Sequence, residues 1–276
     1  MISGKAKVAG VIGWPVSHSL SPRLHNYWLN HYSIDGLYIP LAVKPEDCIE
    51  VIKTLPKMGI RGVNLTLPHK ELVMPLVTDM DDDARAIGAV NTLMISYDGT
   101  IQGMNTDAYG FIKNIRPHIA AHKNKVVVLG AGGAARAVCH ALIKEGFAEI
   151  MLTNRTQEKA DALAAHFAGR IQVRAWDLRN QLLEGADLLV NATSLGMEGH
   201  APLPLSLDAL PKTAVVTDIV YTPLVTPLLK AAKDRGNPVV DGLGMLIHQA
   251  VPAFKAWFGV NPDITPELRN HLLKAT

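Results

Sequence analysis

The residues most readily read as chemistry form a glycine-rich turn. Val126-Val127-Val128-Leu129 runs directly into Gly130-Ala131-Gly132-Gly133-Ala134-Ala135, and a helical pattern follows. A turn of this kind between a strand and a helix binds the pyrophosphate of a dinucleotide. Gly130 allows the tight bend, Gly132 lets the backbone approach the phosphates, and Ala135 leaves room for helix to pack on strand. The helix N-terminus adds unpaired N–H groups and the positive end of its dipole. The competing reading, a turn with no ligand, is disfavoured by the flanking strand and helix. The next strand ends Leu152-Thr153-Asn154-Arg155-Thr156, with Lys159 one turn later. An NAD site places Asp or Glu there, about 20 residues on, to accept from the ribose hydroxyls. No carboxylate is present. Arg155 can pair with a 2′-phosphate and stack on the adenine, so the stretch predicts NADP; the alternative is a solvated surface arginine.

Hydroxyls, amides and one lysine form a second set. Gly13-Trp14-Pro15-Val16-Ser17-His18-Ser19-Leu20-Ser21-Pro22 is a loop entering a helix, where Ser19 or Ser21 alone could simply cap it. Gly62-Val63-Asn64-Leu65-Thr66-Leu67-Pro68-His69-Lys70 puts Thr66 and Lys70 at a strand's carboxyl end. Taken alone, Lys70 could equally be a surface residue beginning a helix. Gly88-Ala89-Val90-Asn91-Thr92 and Gly103-Met104-Asn105-Thr106-Asp107-Ala108-Tyr109-Gly110 follow, and Asp107 could be an ordinary helix cap. Asn191-Ala192-Thr193-Ser194 comes after an apolar strand and can floor a nicotinamide pocket, against the alternative of a plain turn. Gly242 and Gly244 open a late helix where a side chain would obstruct the nicotinamide. Met245 packs beside the ring or in the core.

Short β-branched runs alternate with helical patterns and must position these groups. Val8–Ile12, Leu37–Val43, Gly62–Leu67 and Ala89–Ser96 read as strands, with helices at Pro22–Tyr32 and Pro45–Met58. After the polar stretch His118–Asn124, strands are expected at Lys125–Leu129, Glu149–Thr153, Ile171–Ala175, Leu188–Asn191, Ala214–Asp218 and Pro238–Asp241. Helices are expected at Ala134–Lys144, Thr156–Phe167, Leu243–Trp257 and Thr265–Lys274. The alternation predicts an α/β protein of two domains. One is an N-terminal substrate domain with a mostly parallel sheet, residues 1–106; the other is a Rossmann-type nucleotide domain, residues 107–241. The helices after about residue 242 can pack back on the first domain.

Composition fits. The chain has 276 residues, enough for two domains, and 48% are hydrophobic but only 5% aromatic, so the cores must be built mainly from Val, Ile, Leu and Ala. A formal charge of +2 with no basic run argues against nucleic-acid binding. No stretch approaches a membrane span, and no apolar signal region follows Lys5 and Lys7. Cys48 and Cys139 read as buried thiols in helices of different domains, which fits a reducing compartment, and a cytoplasmic protein is expected. Asp82, in a run of three aspartates, reads as solvated surface. His18, His25, His69 and His248 show no metal-ligand spacing and read as surface or packing residues.

Taken together the motifs closely resemble those of the shikimate dehydrogenase family. The resemblance runs from Gly13 to Gln249 and includes the late Asp241-Gly242-Leu243-Gly244-Met245-Leu246-x-x-Gln249. It implies NADP-dependent, reversible reduction of 3-dehydroshikimate to shikimate, in a cleft between the domains, by a monomer or homodimer whose partner is that small molecule. It assigns Ser19, Ser21, Thr66, Lys70, Asn91, Asp107 and Gln249 to the substrate, and Tyr221 matches the family's tyrosine near it. Ile219 goes to the cofactor, with Gly130, Ala131, Gly132, Gly133, Ala134, Asn154, Arg155, Thr156, Lys159, Thr193, Ser194, Gly242 and Met245. His69 departs from the apolar residue expected before the lysine.

Chemistry agrees with those assignments. Shikimate is a carboxylate with several hydroxyls, which Ser19 and Ser21 on one side and Asn91, Asp107 and Gln249 on the other can bond. Hydride addition leaves charge on the ketone oxygen, which the Lys70 ammonium, with Asp107 as its orienting partner, stabilises and then neutralises. Two competitors remain: a paralogue acting on quinate as well, and a catalytically silent NADP-binding regulatory module. Retention of Lys70 and Asp107 speaks against the second.

Overall fold

Runs of Val, Ile and Leu too short for helices become strands in two six-stranded sheets, one in each of two units of the computed structural model. The structure describes residues 2–119 and 124–274, so Met1 and residues 120–123 of the expected polar stretch lie outside the described residues. The first unit comprises residues 2–106 and 247–274, and the second Asp107–Leu246.

In the first unit, strands β1 (Lys7–Gly13), β2 (Gly36–Ala42), β3 (Ile60–Leu65), β4 (Asp79–Met80), β5 (Thr92–Ile95) and β6 (Ile101–Met104) lie in the order β2-β1-β3-β5-β6-β4. Helices α1 (Ser21–His31), α2 (Cys48–Thr54) and α3 (Asp82–Ile87) connect them. β1 is parallel to both β2 and β3, as expected, but β5 runs antiparallel to β3 and forms an antiparallel hairpin with β6. The hairpin turns at Asp98-Gly99, with Gly99 at φ +88°, where a glycine carries no steric penalty. The Pro45–Met58 region is one continuous α-helix only over α2. It begins and ends in 3-10 turns, and Pro56 has no N–H to continue the α pattern. α3 was not anticipated; the Asp81 carboxylate caps it by accepting from the Ala84 N–H at 2.7 Å. One face of the sheet buries Ile12, Ile52, Val63, Leu65 and Leu93. An aromatic group, Trp28, Tyr38, Phe254 and Trp257, is buried around His25. Trp257 comes from α8 (Gly242–Phe258) and donates its indole N–H to Leu93 O at 3.0 Å; any Cβ on Gly62 would overlap that indole.

The second unit opens with α4 (Asp107–Ile115), continues through β7 (Lys125–Leu129), α5 (Gly133–Glu145), β8 (Glu149–Thr153), α6 (Gln157–His166) and β9 (Gln172–Val173), then β10 (Leu188–Asn191), β11 (Val215–Asp218), α7 (Pro227–Asp234) and β12 (Val239–Val240). All five strand pairings are parallel, in the order β12-β11-β10-β7-β8-β9. The order reverses between β7 and β10, the switch point where ligands bind in open parallel sheets. The first turn of α8 belongs to this unit and its later turns to the first; α9 (Pro266–Leu273) follows. Cys48 and Cys139 are free and buried, and burial pushes the Cys139 thiol up to about 12.

Candidate active site

At the carboxyl ends of β1 and β3 the first unit buries a row of neutral polar side chains. Burying such groups is tolerable only when they satisfy one another, and they do. The Tyr38 hydroxyl bonds the buried Ser21 side chain and donates to Asn64 Oδ1 at 2.6 Å. Asn64 Nδ2 donates to Thr92 Oγ1 at 3.0 Å, and Thr92 Oγ1 to Asn91 Oδ1 at 2.9 Å. Asn91 Nδ2 then donates to Thr106 Oγ1 at 3.0 Å and, more distantly, to Gln249 Oε1 at 3.5 Å. Three residues expected at the substrate, Ser21, Asn91 and Gln249, are thus joined through Tyr38, Asn64, Thr92 and Thr106. The half-buried Ser19 accepts from the Ser21 N–H at 3.3 Å, so it serves the start of α1 as well.

Thr66 and Lys70, both half-buried, stand on the turn after β3. Thr66 packs on Gly13, where a Cβ would overlap its methyl. The turn is pinned by His69, which is buried and donates from Nε2 to Val43 O at 2.9 Å. Its Nδ1 finds no hydrogen-bond partner among the described residues, and burial lowers its pKa, so the ring is neutral. His69 is thus a packing residue and an anchor for its neighbours. His25 is likewise buried, stacked on Tyr38 at 4.1 Å, with its pKa lowered to about 3 by burial.

In the second unit, Gly130 has φ +108° and its N–H donates to Thr153 O at 2.9 Å. A Cβ there would stand 2.8 Å from Ala192 O, so only glycine fits the bend. Gly132 is the opposite case: a Cβ would meet nothing within 4 Å. That open space lies at the start of α5, which no side chain caps, leaving its first N–H groups for an anion. At the end of β8, Asn154 Nδ2 donates to Thr156 O at 2.8 Å, and Arg155, Thr156 and Lys159 are exposed. A helix start open to an anion, beside an exposed cation and with Asn154 rather than a carboxylate at the end of β8, fits NADP.

The Asn191–Leu195 turn backs Gly130. Asn191 Oδ1 accepts from both the N–H and the hydroxyl of Thr193, at 3.1 and 2.7 Å. Asn191 Nδ2 donates to Asp218 Oδ2 at 3.1 Å, which also accepts from Thr226 Oγ1 at 2.8 Å. Burial raises the Asp218 pKa, and these donors act against that rise. The Thr193 hydroxyl is therefore spent inside the turn, while Ser194 is exposed. Ile219 and Tyr221 are half-buried just beyond β11, Asp107 is buried as the first residue of α4, and Met245 is buried in α8.

The two late glycines answer to a packing requirement that the sequence alone did not show. A Cβ on Gly242 would approach Val220 O to 2.6 Å, and one on Gly244 would overlap the Asn114 amide. Both glycines are required by the chain's own packing before any ligand is considered. Sequence reasoning also missed Tyr38, Thr92, Thr106, Asp218 and Thr226. Thr226-Pro227 carried a helix-start signal, whereas the others carried none without the topology.

Three family models match the chain. They are described as the shikimate dehydrogenase substrate binding domain (residues 11–93), shikimate / quinate 5-dehydrogenase (113–197) and the shikimate 5'-dehydrogenase C-terminal domain (242–266). The shikimate dehydrogenase (NADP(+)) of Paramagnetospirillum magneticum is 57% identical over 275 residues, covering 99% of this chain and 100% of the relative. A crystal structure of shikimate 5-dehydrogenase from Thermus thermophilus in complex with NADP(H) and shikimate is 36% identical at a TM-score of 0.86, covering 98% of this chain and 100% of the other. The quinate dehydrogenase of Corynebacterium glutamicum in complex with NAD is 30% identical at a TM-score of 0.91, covering 98% of this chain and 99% of the other.

Proposed function

The chain belongs to the shikimate dehydrogenase family, and from that membership we propose how its own residues carry the reaction. It is an NADP-dependent oxidoreductase that reversibly reduces 3-dehydroshikimate to shikimate, a step of aromatic amino acid biosynthesis. Bound NADPH supplies the hydride. Residues 1–106, with the later helices, act as the substrate domain, and residues 107–241 as the nucleotide domain.

Ser19 and Ser21 take the substrate carboxylate, and Thr66, Asn91, Tyr221 and Gln249 hold its ring hydroxyls. The observation that carries this reading is the buried row from Ser21 to Gln249, whose groups are neutral donors and acceptors suited to a polyhydroxylated acid. Lys70 Nζ donates to the ketone oxygen as charge develops there and gives it a proton, with Asp107 orienting the ammonium. In the reverse direction Lys70 takes that proton from the hydroxyl. On the nucleotide, the first N–H groups of α5 meet the pyrophosphate, Arg155 with Asn154, Thr156 and Lys159 meets the 2′-phosphate, and Thr193, Ser194, Ile219, Gly242 and Met245 line the nicotinamide.

We read the protein as cytoplasmic and as a monomer or homodimer; no helix among the described residues is long and apolar enough to cross a membrane. The family reading is tested by steady-state oxidation of shikimate and quinate with NADP+ and NAD+ in parallel. Shikimate with NADP+ should exceed every other pair by about tenfold or more, within what a mispaired hydroxyl or phosphate costs. Quinate turnover of equal efficiency would make the chain a dual-substrate enzyme, and no turnover with either acid would overturn the reading.

A further inference from the structure

Asn114 lies outside the motifs described above, yet from the helix that carries Asp107 it touches the start of the helix that carries Gly242 and Met245. It stands seven residues after Asp107 on α4, two helical turns along and on the same face. Its Nδ2 donates to the main-chain carbonyl of Asp241 at 2.8 Å. The amide also abuts Gly244, where a Cβ would overlap Oδ1 and come within 2.7 Å of Cγ. The first turn of α8 is thus held at Gly242 by the Ile219–Val220 backbone and at Gly244 by a side chain from α4. α4 is itself fixed. Phe111 and Ile115 are buried, and Arg116 pairs with Glu145 at the end of α5 through contacts of 3.2 and 2.6 Å.

We propose that Asn114 is a positioning residue for the dehydrogenase reaction, a clasp that holds the Gly242–Met245 turn in register with the helix that begins at Asp107. The proposal rests on the roles assigned above to Asp107, Gly242 and Met245. Asparagine suits the task because one end of its amide donates to a carbonyl while the planar other end fits against a glycine. Aspartate would set a carboxylate against the Asp241 carbonyl, and alanine would remove the side-chain donor that ties this carbonyl to α4.

The test uses the full chain with Asn114→Ala, Asn114→Asp, Gly244→Ala and the double variant Asn114→Ala/Gly244→Ala. In the ligand-free protein Gly244→Ala should lower the melting temperature by several degrees, whereas the double variant should melt no lower than Asn114→Ala. Removing the amide makes room for the new methyl, so the two losses are not additive. In the enzyme, both Asn114 variants should lower kcat by about tenfold, a scale expected for misplaced groups. NADP+ affinity measured by fluorescence titration and the KM for shikimate should stay within about twofold of the parent. The primary deuterium isotope effect, measured with shikimate deuterated at the carbon that gives up hydride, should rise as that step becomes limiting.

Additive melting losses, unchanged kcat in both Asn114 variants, or a fall in kcat matched by a fall in the titrated fraction of active enzyme with the isotope effect unmoved would each overturn the proposal. If Asn114→Ala does not fold, Asn114→Asp and Gly244→Ala carry the kinetic and thermal arms. Absence of turnover by the unmodified chain would instead defeat the family reading and leave the melting cycle to judge the clasp.

Discussion

The nucleotide cradle of the second unit and the polar row of the first are made of different materials. The cradle is largely backbone: Gly130 at φ +108°, the uncapped start of α5, and a turn whose Asn191 and Thr193 side chains are spent on holding main chain in place. The row is side chain throughout, and each member is satisfied by the next from Tyr38 to Gln249. A backbone site presents fixed dipoles that tolerate changes around it, whereas a side-chain chain passes any local loss to its neighbours. The two regions should therefore fail differently, each through its own ligand.

The strongest way to break that separation is Lys70→Ala. Turnover should fall by about 10²-fold or more while NADP+ affinity holds, as expected for loss of a proton-transfer group. Parallel loss of cofactor affinity, measured by titration, would show that the regions are not independent. Next in size, Arg155→Ala should weaken NADP+ by about tenfold, the scale of a charge-assisted contact, and leave the shikimate KM at saturating cofactor unchanged. A shift in both constants would count against the assignment of Arg155 to the 2′-phosphate. Smaller again, Tyr38→Phe removes the hydroxyl joining Ser21 and Asn64. It should raise the shikimate KM by about three- to tenfold without touching NADP+ binding.

The smallest effect is one of pH. Burial lowers His25 to about 3, and neither ring nitrogen has a hydrogen-bond partner among the described residues. The unfolded chain takes up a proton near pH 6.5 that the native ring refuses. Stability from this group is therefore full above about pH 6.5 and is lost as pH falls toward the folded value, by about 1.4 kcal/mol per pH unit. His25→Phe, which suits a ring among Tyr38, Phe254 and Trp257, should flatten the urea-derived stability curve by that slope between about pH 6 and pH 4. An unaltered slope would mean that His25 titrates freely.

The same contrast explains what was legible. Gly130 to Ala135 are consecutive residues whose backbone geometry makes the candidate cradle, and Arg155 stands at a strand end fixed by the same local pattern, so both could be proposed directly from the chain. The central strands were equally plain, since β1 and β7 are nearly continuous apolar runs buried on both faces. Thr92 and Thr106 look like any strand-end threonine, and only the pairing of β5 with β3 and β6 brings them beside Asn64 and Asn91. β6 escaped notice because it is four residues long with a glycine inside, although Asp98-Gly99 announced its hairpin. The late glycines were readable as glycines but not as partners of Asn114 and Val220, because those contacts link distant parts of the chain.

The central claim is that the ammonium on the turn after β3 acts on the same substrate atom group that exchanges hydride with the nicotinamide. A crystal structure of the ternary complex with shikimate and NADP+ tests it most directly. Lys70 Nζ should lie within about 3.2 Å of the hydroxyl to be oxidised, with the nicotinamide C4 about 3.5 Å from the carbon that bears it. Shikimate bound with that hydroxyl turned away from Lys70, or bound beyond reach of C4, would contradict the account.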